Sequence, residues 1–148
     1  MVLPTRVDGV DTQSAADVNA LDDAIGRIFL GGLNIPLDGQ GAVIAVGVHH
    51  KFVIVPYACT ITGWTLYGDP SGSIVLDLWK DTYANYPPTV ADTITGSAKP
   101  TLTTTTKNTS TTLTGWTTTL TRGDVLRVNV DSATTITEGL LFLAVTRT

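Results

Sequence analysis

A single cysteine leaves no partner for an internal disulfide, so packing and hydrogen bonding alone must hold this fold. Charge is scarce as well: 15% of residues are Asp, Glu, Lys or Arg, against roughly 25% in average soluble proteins. The nine Lys and Arg are scattered singly and the net charge is −4. That excludes the clustered positive surface that nucleic acid requires. No apolar run approaches the roughly 18 residues of a membrane span. The opening Met-Val-Leu-Pro-Thr-Arg-Val-Asp has no basic region followed by an apolar stretch, so no signal peptide is expected. Cys59 sits in the apolar-rich stretch Val-Pro-Tyr-Ala-Cys-Thr-Ile, where a buried, inert thiol in a chain folded in a reducing cytoplasm is expected.

What the chain does have is apolar material and threonine. Its 148 residues are 43% hydrophobic, enough for one core. Threonine is concentrated between Thr101 and Thr121. Its branched Cβ suits the pleat of a strand while its hydroxyl meets water. A thinly charged chain also suggests that other subunits cover part of its apolar surface.

The first residues read as an arm, followed by the turn-like Asp8-Gly9-Val10-Asp11-Thr12 and then one helix. Ser14 with Asp17 three positions on is close to a capping box, and Asp17, Asp22 and Asp23 suit the positive end of the helix dipole. Val18, Leu21, Ile25 and Ile28 follow at spacings of three, four and three, flanked by Ala24 and Phe29; Gly31-Gly32 ends the run. A stripe so narrow on a helix of about 15 residues needs a neighbour. It packs either on the rest of the chain or on identical copies about a symmetry axis.

From Leu33 the periodicity becomes that of strands. Gly41–Val48 and Lys51–Val55 are β-branched runs joined through His49-His50, and 57–67 is a long strand in which Gly63 marks a bulge. Asp69-Pro70-Ser71-Gly72 is a turn signal. Ser73–Lys80 places Ile74, Leu76 and Leu78 on one face and Val75, Asp77 and Trp79 on the other; Leu126, Val128 and Val130 face inward after Asp124. The segment 81–100 is a long connection, and Gly139–Val145 is a closing strand buried on both faces. The expected architecture is mostly β: a jelly-roll-like antiparallel β-sandwich over 33–148, preceded by an arm and one amphipathic helix over 1–32.

No catalytic constellation is present: no G-x-S-x-G, H-E-x-x-H, phosphate loop or C-x-x-C. The only histidines are the adjacent His49 and His50, which point to opposite faces of a strand and cannot share a mononuclear site within one chain. Asp77 and Asp81 flank Trp79, but positions i and i+4 of a strand lie about 13 Å apart, beyond the span of a glycosidase pair. An enzyme is therefore not expected, nor a cofactor or a metal. Trp79, Tyr83 and Tyr86 lie close together beside Pro87-Pro88 and make a candidate glycan shelf. The alternative is that Trp64, Trp79 and Trp116 anchor the core or a subunit interface.

Two stretches resemble bacteriophage structural proteins. Residues 8–25, with the pattern D-G-x-D…A-x-D-x-N-x-L-x-x-A-I, resemble the opening segment of phage fibre and appendage proteins. Residues 56–102 and 113–137 resemble a β-domain at the C-terminal ends of phage structural proteins, through D-x-W-K, P-P-T, L-x-G-W and G-D-x-L-x-x-N-V-D. The resemblance implies a non-enzymatic virion component, assembled in the host cytoplasm. It implies a homotrimer joined through Val18, Leu21, Ile25, Ile28 and Phe29 and attached by its N-terminal segment to the major capsid protein or to tail proteins. With no long shaft repeat, a capsid-decorating cement or short head-fibre protein is expected. The alternative is a small tail spike or adaptor that grips host surface polysaccharide through Trp79, Tyr83 and Tyr86.

Overall fold

The computed structural model describes residues 30–148. Seven strands follow in chain order: β1 (Leu30–Asp38), β2 (Gly47–Ile54), β3 (Cys59–Asp81), β4 (Thr101–Ser110), β5 (Thr119–Leu120), β6 (Val125–Thr134) and β7 (Glu138–Arg147). They join into one antiparallel sheet, ordered β1-β7-β3-β6-β2, with β4 and β5 on the opposite edge of β3. The sheet curls like half a barrel. The pairing thus runs through a single sheet rather than through the two sheets of a sandwich.

β3 sets this arrangement. Its first half pairs with β7 from Cys59↔Arg147 to Asp69↔Glu138, and its second half pairs with β6 from Ser73↔Thr134 to Asp81↔Val125. β6 and β7 therefore lie end to end along one 23-residue strand. β1 and β2 lie end to end on the far side of β7 and β6. Three lanes run beside one another and turn at the same level. The turn falls at residues 39–46 in the first lane, near Gly72 in the second and at residues 135–137 in the third. Gln40 (φ 56°), Thr104 (φ 50°) and Thr135 (φ 63°), the non-glycine residues with left-handed backbone among those described, all lie on this line. For threonine that conformation is strained, and local bonds offset it. The Thr104 N–H donates to Ser73 Oγ at 2.9 Å, and Thr135 Oγ1 donates to the Ser71 carbonyl at 2.8 Å. The lanes are also tied to one another there, by Gly39 N–H to Thr137 O (2.8 Å) and Ile44 N–H to Ile136 O (2.9 Å).

Alternation then builds one core. Leu33, Ile35 and Leu37 of β1 face inward with Leu66 of β3 and Leu141, Leu143 and Val145 of β7. Ile74, Leu76 and Leu78 join them from the other half with Leu126, Val128 and Val130, as the alternation of those segments requires. Ile44 and Ile136 close the bend, and Trp116 is held by its indole N–H to Ala98 O at 2.8 Å.

Several sequence expectations change. Asp69–Gly72 does not reverse the chain; it is the bend inside β3, because strands continue to pair on both sides of it. Gly31-Gly32 lies in β1, where a Cβ at Gly32 would collide with the Phe142 ring and one at Gly31 with the Tyr57 hydroxyl. His49-His50 lies inside β2, at a register irregularity between Val48 and Phe52. β7 buries Leu141, Leu143 and Val145 fully, while Leu140, Phe142 and Ala144 on its other face are only half-buried. The bulge expected at Gly63 is present, as a register shift between Ile61 and Gly63. The N-terminal helix and its stripe of Val18, Leu21, Ile25, Ile28 and Phe29 lie outside the described residues.

Gly72 tests the bend. A Cβ there would collide with Thr134 O and Thr135 Oγ1. Gly72→Ala is expected to destabilise the domain by about 1–3 kcal/mol, read as a lower denaturant midpoint with an unchanged slope. A midpoint unchanged from the parent would show that the lanes do not depend on this close approach.

Candidate functional site

Two surfaces compete for a functional role, and the segment 82–100 decides the first. Trp79 leaves β3 on the outer face, opposite Arg127 and bridged to Thr93. It is only 6% exposed. Its ring face is therefore not open to a sugar, and it leaves the expected shelf as a packing residue. Tyr83 (86% exposed) and Tyr86 (50% exposed) remain at the surface. Tyr86 meets Phe52 of β2 edge to face, with centroids 5.7 Å apart.

The carboxylates around Trp79 are structural. Asp81 accepts Thr82 N–H at 2.7 Å and Asn85 Nδ2 at 3.1 Å, which holds the short 3-10 turn Tyr83–Asn85. Thr89 and Asp92 form a capping box on the next turn, Val90–Asp92. Asp77 is buried, and Oδ1 accepts the hydroxyls of Thr93 (2.5 Å) and Thr95 (2.6 Å) while Oδ2 meets Lys99 Nζ at 3.2 Å. Lys99 also pairs with Asp131 at 2.7 Å. Burial alone would raise the Asp77 pKa, but hydrogen bonds from Thr93, Thr95 and Lys99, with the Trp79 N–H turned toward the carboxylate, outweigh it and hold the carboxyl below its ordinary value. The Trp79 indole N–H faces this carboxylate without completing a bond of good geometry. The bond to Asp131, followed by that to Asp77, pushes Lys99 up against the opposing effect of burial. This cluster pins the 93–99 segment to the sheet, with both Asp77 oxygens engaged.

His49 lies with Nε2 3.3 Å from Asp38 N and Nδ1 3.3 Å from Lys51 N. A neutral imidazole accepts at one of these nitrogens and carries its proton on the other. Its pKa is lowered, chiefly by burial. His50 is exposed. Cys59 is buried, and burial followed by the Asp124 charge pushes its thiol up, away from the reactive range.

The second surface is the β2 edge. Among the described residues β2 pairs only with β6, and no described strand lies on its other side. Val48, Phe52 and Ile54 (60% exposed) of β2 are exposed beside it, with Val43 and Val46 (65% exposed) in the turn before the strand. A shallow cavity of about 410 Å³ lies among Val43, Val46, Val48, His49 and His50. Sequence reading missed this row because apolar residues fall on both faces of 52–55, so alternation could not say which side is covered. No family model, curated protein or solved structure matches the chain.

The Asp77 cluster fixes the sign of a pH dependence. A carboxyl held low in the fold contributes stability above its unfolded range of about 4, and that stability is lost as pH falls through the folded value. Asp77→Ala is expected to cost about 1–3 kcal/mol at neutral pH by leaving Thr93 and Thr95 unpaired and to flatten the acid limb. Melting curves recorded from neutral to acidic pH would read both effects. An acid limb as steep as that of the parent would assign the acid loss to other carboxylates.

Proposed function

We propose that this chain is a non-enzymatic structural subunit of a bacteriophage particle, a homotrimer that decorates the capsid as a cement or short head-fibre protein. The observation that carries this reading is the exposed apolar row Val48–Phe52–Ile54 of β2, with Val46 just before it, on a strand with an open side among the described residues. An exposed apolar edge invites pairing with other chains and is ordinarily blunted by charge, proline or a covering element. Here Lys51 and the register irregularity beside it interrupt the row, but its two ends stay apolar. Copies of the same chain placed against these edges would cover them, in line with the low overall charge. The phage-like patterns at 8–25, 56–102 and 113–137 support the virion assignment. In this reading the curled sheet serves as the jelly-roll-like head, and the stripe Val18, Leu21, Ile25, Ile28 and Phe29 joins the copies and attaches them to the major capsid protein. A small tail spike or adaptor is the second reading, favoured by the exposed rings of Tyr83 and Tyr86.

Sedimentation of the full chain is expected to give a trimer. Val46→Asp with Phe52→Asp is expected to shift it toward monomer while each subunit keeps its strand signal in circular dichroism. A parent chain that is monomeric at all concentrations overturns the trimer. Imaging of purified particles separates the two readings: many copies at capsid symmetry positions support decoration, and a few at the tail support the spike.

A further inference from the structure

The outer face of the first half of the sheet carries a surface that subunit association through β2 does not use. Leu140, Tyr67 and Lys107 lie side by side across β7, β3 and β4, and one row on Glu138 stands directly opposite Asp69. Tyr67 is 49% exposed. It forms the shared wall of two shallow cavities of about 440 and 500 Å³. The first is floored by Gly68 and Gly139 and rimmed by Asp69, Glu138 and Thr106; the second opens onto Lys107 and Asn108. Ligand clefts commonly have volumes of about 300–1,000 Å³.

The polar groups here differ from those elsewhere on the sheet. Thr65 and Thr109 bond to each other at 3.0 Å, and Asn108 donates to Thr101 O at 2.8 Å. Among the described residues, by contrast, the Tyr67 hydroxyl, the Lys107 ammonium and the carboxylates of Asp69 and Glu138 have no hydrogen-bond or ion-pair partner. Like charges directly opposite on neighbouring strands destabilise a sheet. Asp69 and Glu138 leave their acceptor oxygens at the rim beside the exposed Tyr67 ring, without a counter-charge among the described residues.

We infer that this face is a binding subsite for a neutral hexose unit of an oligo- or polysaccharide. The Tyr67 ring takes the apolar C–H face of the sugar. Asp69 and Glu138 can only accept, Lys107 can only donate, and sugar hydroxyls do both. The charges narrow the class. Carboxylates on one side of the ring and an ammonium on the other mean that a ligand of either charge meets repulsion from one of them, whereas neutral hydroxyls can pair with all three. A metal ion fits poorly: the third carboxylate of the row, Asp38, is turned to Gln40 N–H (2.7 Å) and Lys51 (3.8 Å). Among the described residues no three such side chains converge on a cation. The subsite stands whether or not the chain decorates a capsid.

The test is an NMR titration of the full chain with maltotriose, mannotriose and a β-linked galactotriose, with sialyllactose and trilysine as charged probes. Binding of at least one neutral probe is expected, with shifts confined to residues 65–69, 106–108 and 138–140. Tyr67→Ala is expected to weaken it by roughly tenfold, whereas Tyr67→Phe keeps most of the affinity. Glu138→Gln and Asp69→Asn are expected to weaken binding and yet raise the melting temperature, which a purely structural role for these residues would not produce. No shift with any neutral probe, shifts that persist in Tyr67→Ala, or tighter binding of trilysine or sialyllactose at these residues overturns the inference.

Discussion

At Gly72 the carbonyl oxygen of Thr134 and the hydroxyl of Thr135 occupy the space where a side chain would stand, and this contact sets how sharply β3 turns against the β6–β7 lane. The other lanes follow it. The β1–β2 connection is tied to the turn at 135–137 by two backbone bonds, and Thr104 adopts a left-handed conformation where β4 crosses the same level. With the turn in place, Leu33, Leu66 and Leu141 on one side and Leu76, Val128 and Val130 on the other belong to one core. Without it the same alternation would build an open sheet with one long apolar face, which water would not tolerate.

Polar groups are spent on the segments that regular pairing leaves unsupported. The 93–99 stretch is held by the Asp77–Thr93–Thr95–Lys99 cluster, and the entry to β6 by Lys80–Asp124 at 3.1 Å together with Thr121 N–H on Asp124 at 2.8 Å. Buried carboxylates this fully engaged serve as joints between loop and sheet. The buried carboxylates Asp77 and Asp124 each have a lysine partner, whereas Asp69, Glu138 and Lys107 are exposed and unpaired among the described residues.

The strands whose inner faces alternate cleanly were legible in the sequence. Ile74–Leu76–Leu78 and Leu126–Val128–Val130 face inward as their spacing requires, and the bulge at Gly63 is present. The bend was not legible, because Asp-Pro-Ser-Gly signals a change of direction without saying whether the strand resumes in the same lane. Trp79 shows a second limit. Its place on the outer face follows from alternation with Leu78, but its burial does not follow from local spacing. Neither Tyr67 nor the β2 row stood out, since their exposure depends on which partner strands lie on each side.

The ends of the described chain share one end of the sheet. Leu30 lies opposite Thr146, and Thr148 N–H bonds to Ala58 O at 3.1 Å, so the bend is the far pole. A pull applied at Leu30 and resisted at the bend acts along β1, across the hydrogen bonds that join it to β7. The whole nine-residue ladder then bears the load in shear at once, rather than opening one rung at a time. Mechanically the domain is a hook with its β1–β7 seam aligned to a tether at residue 30.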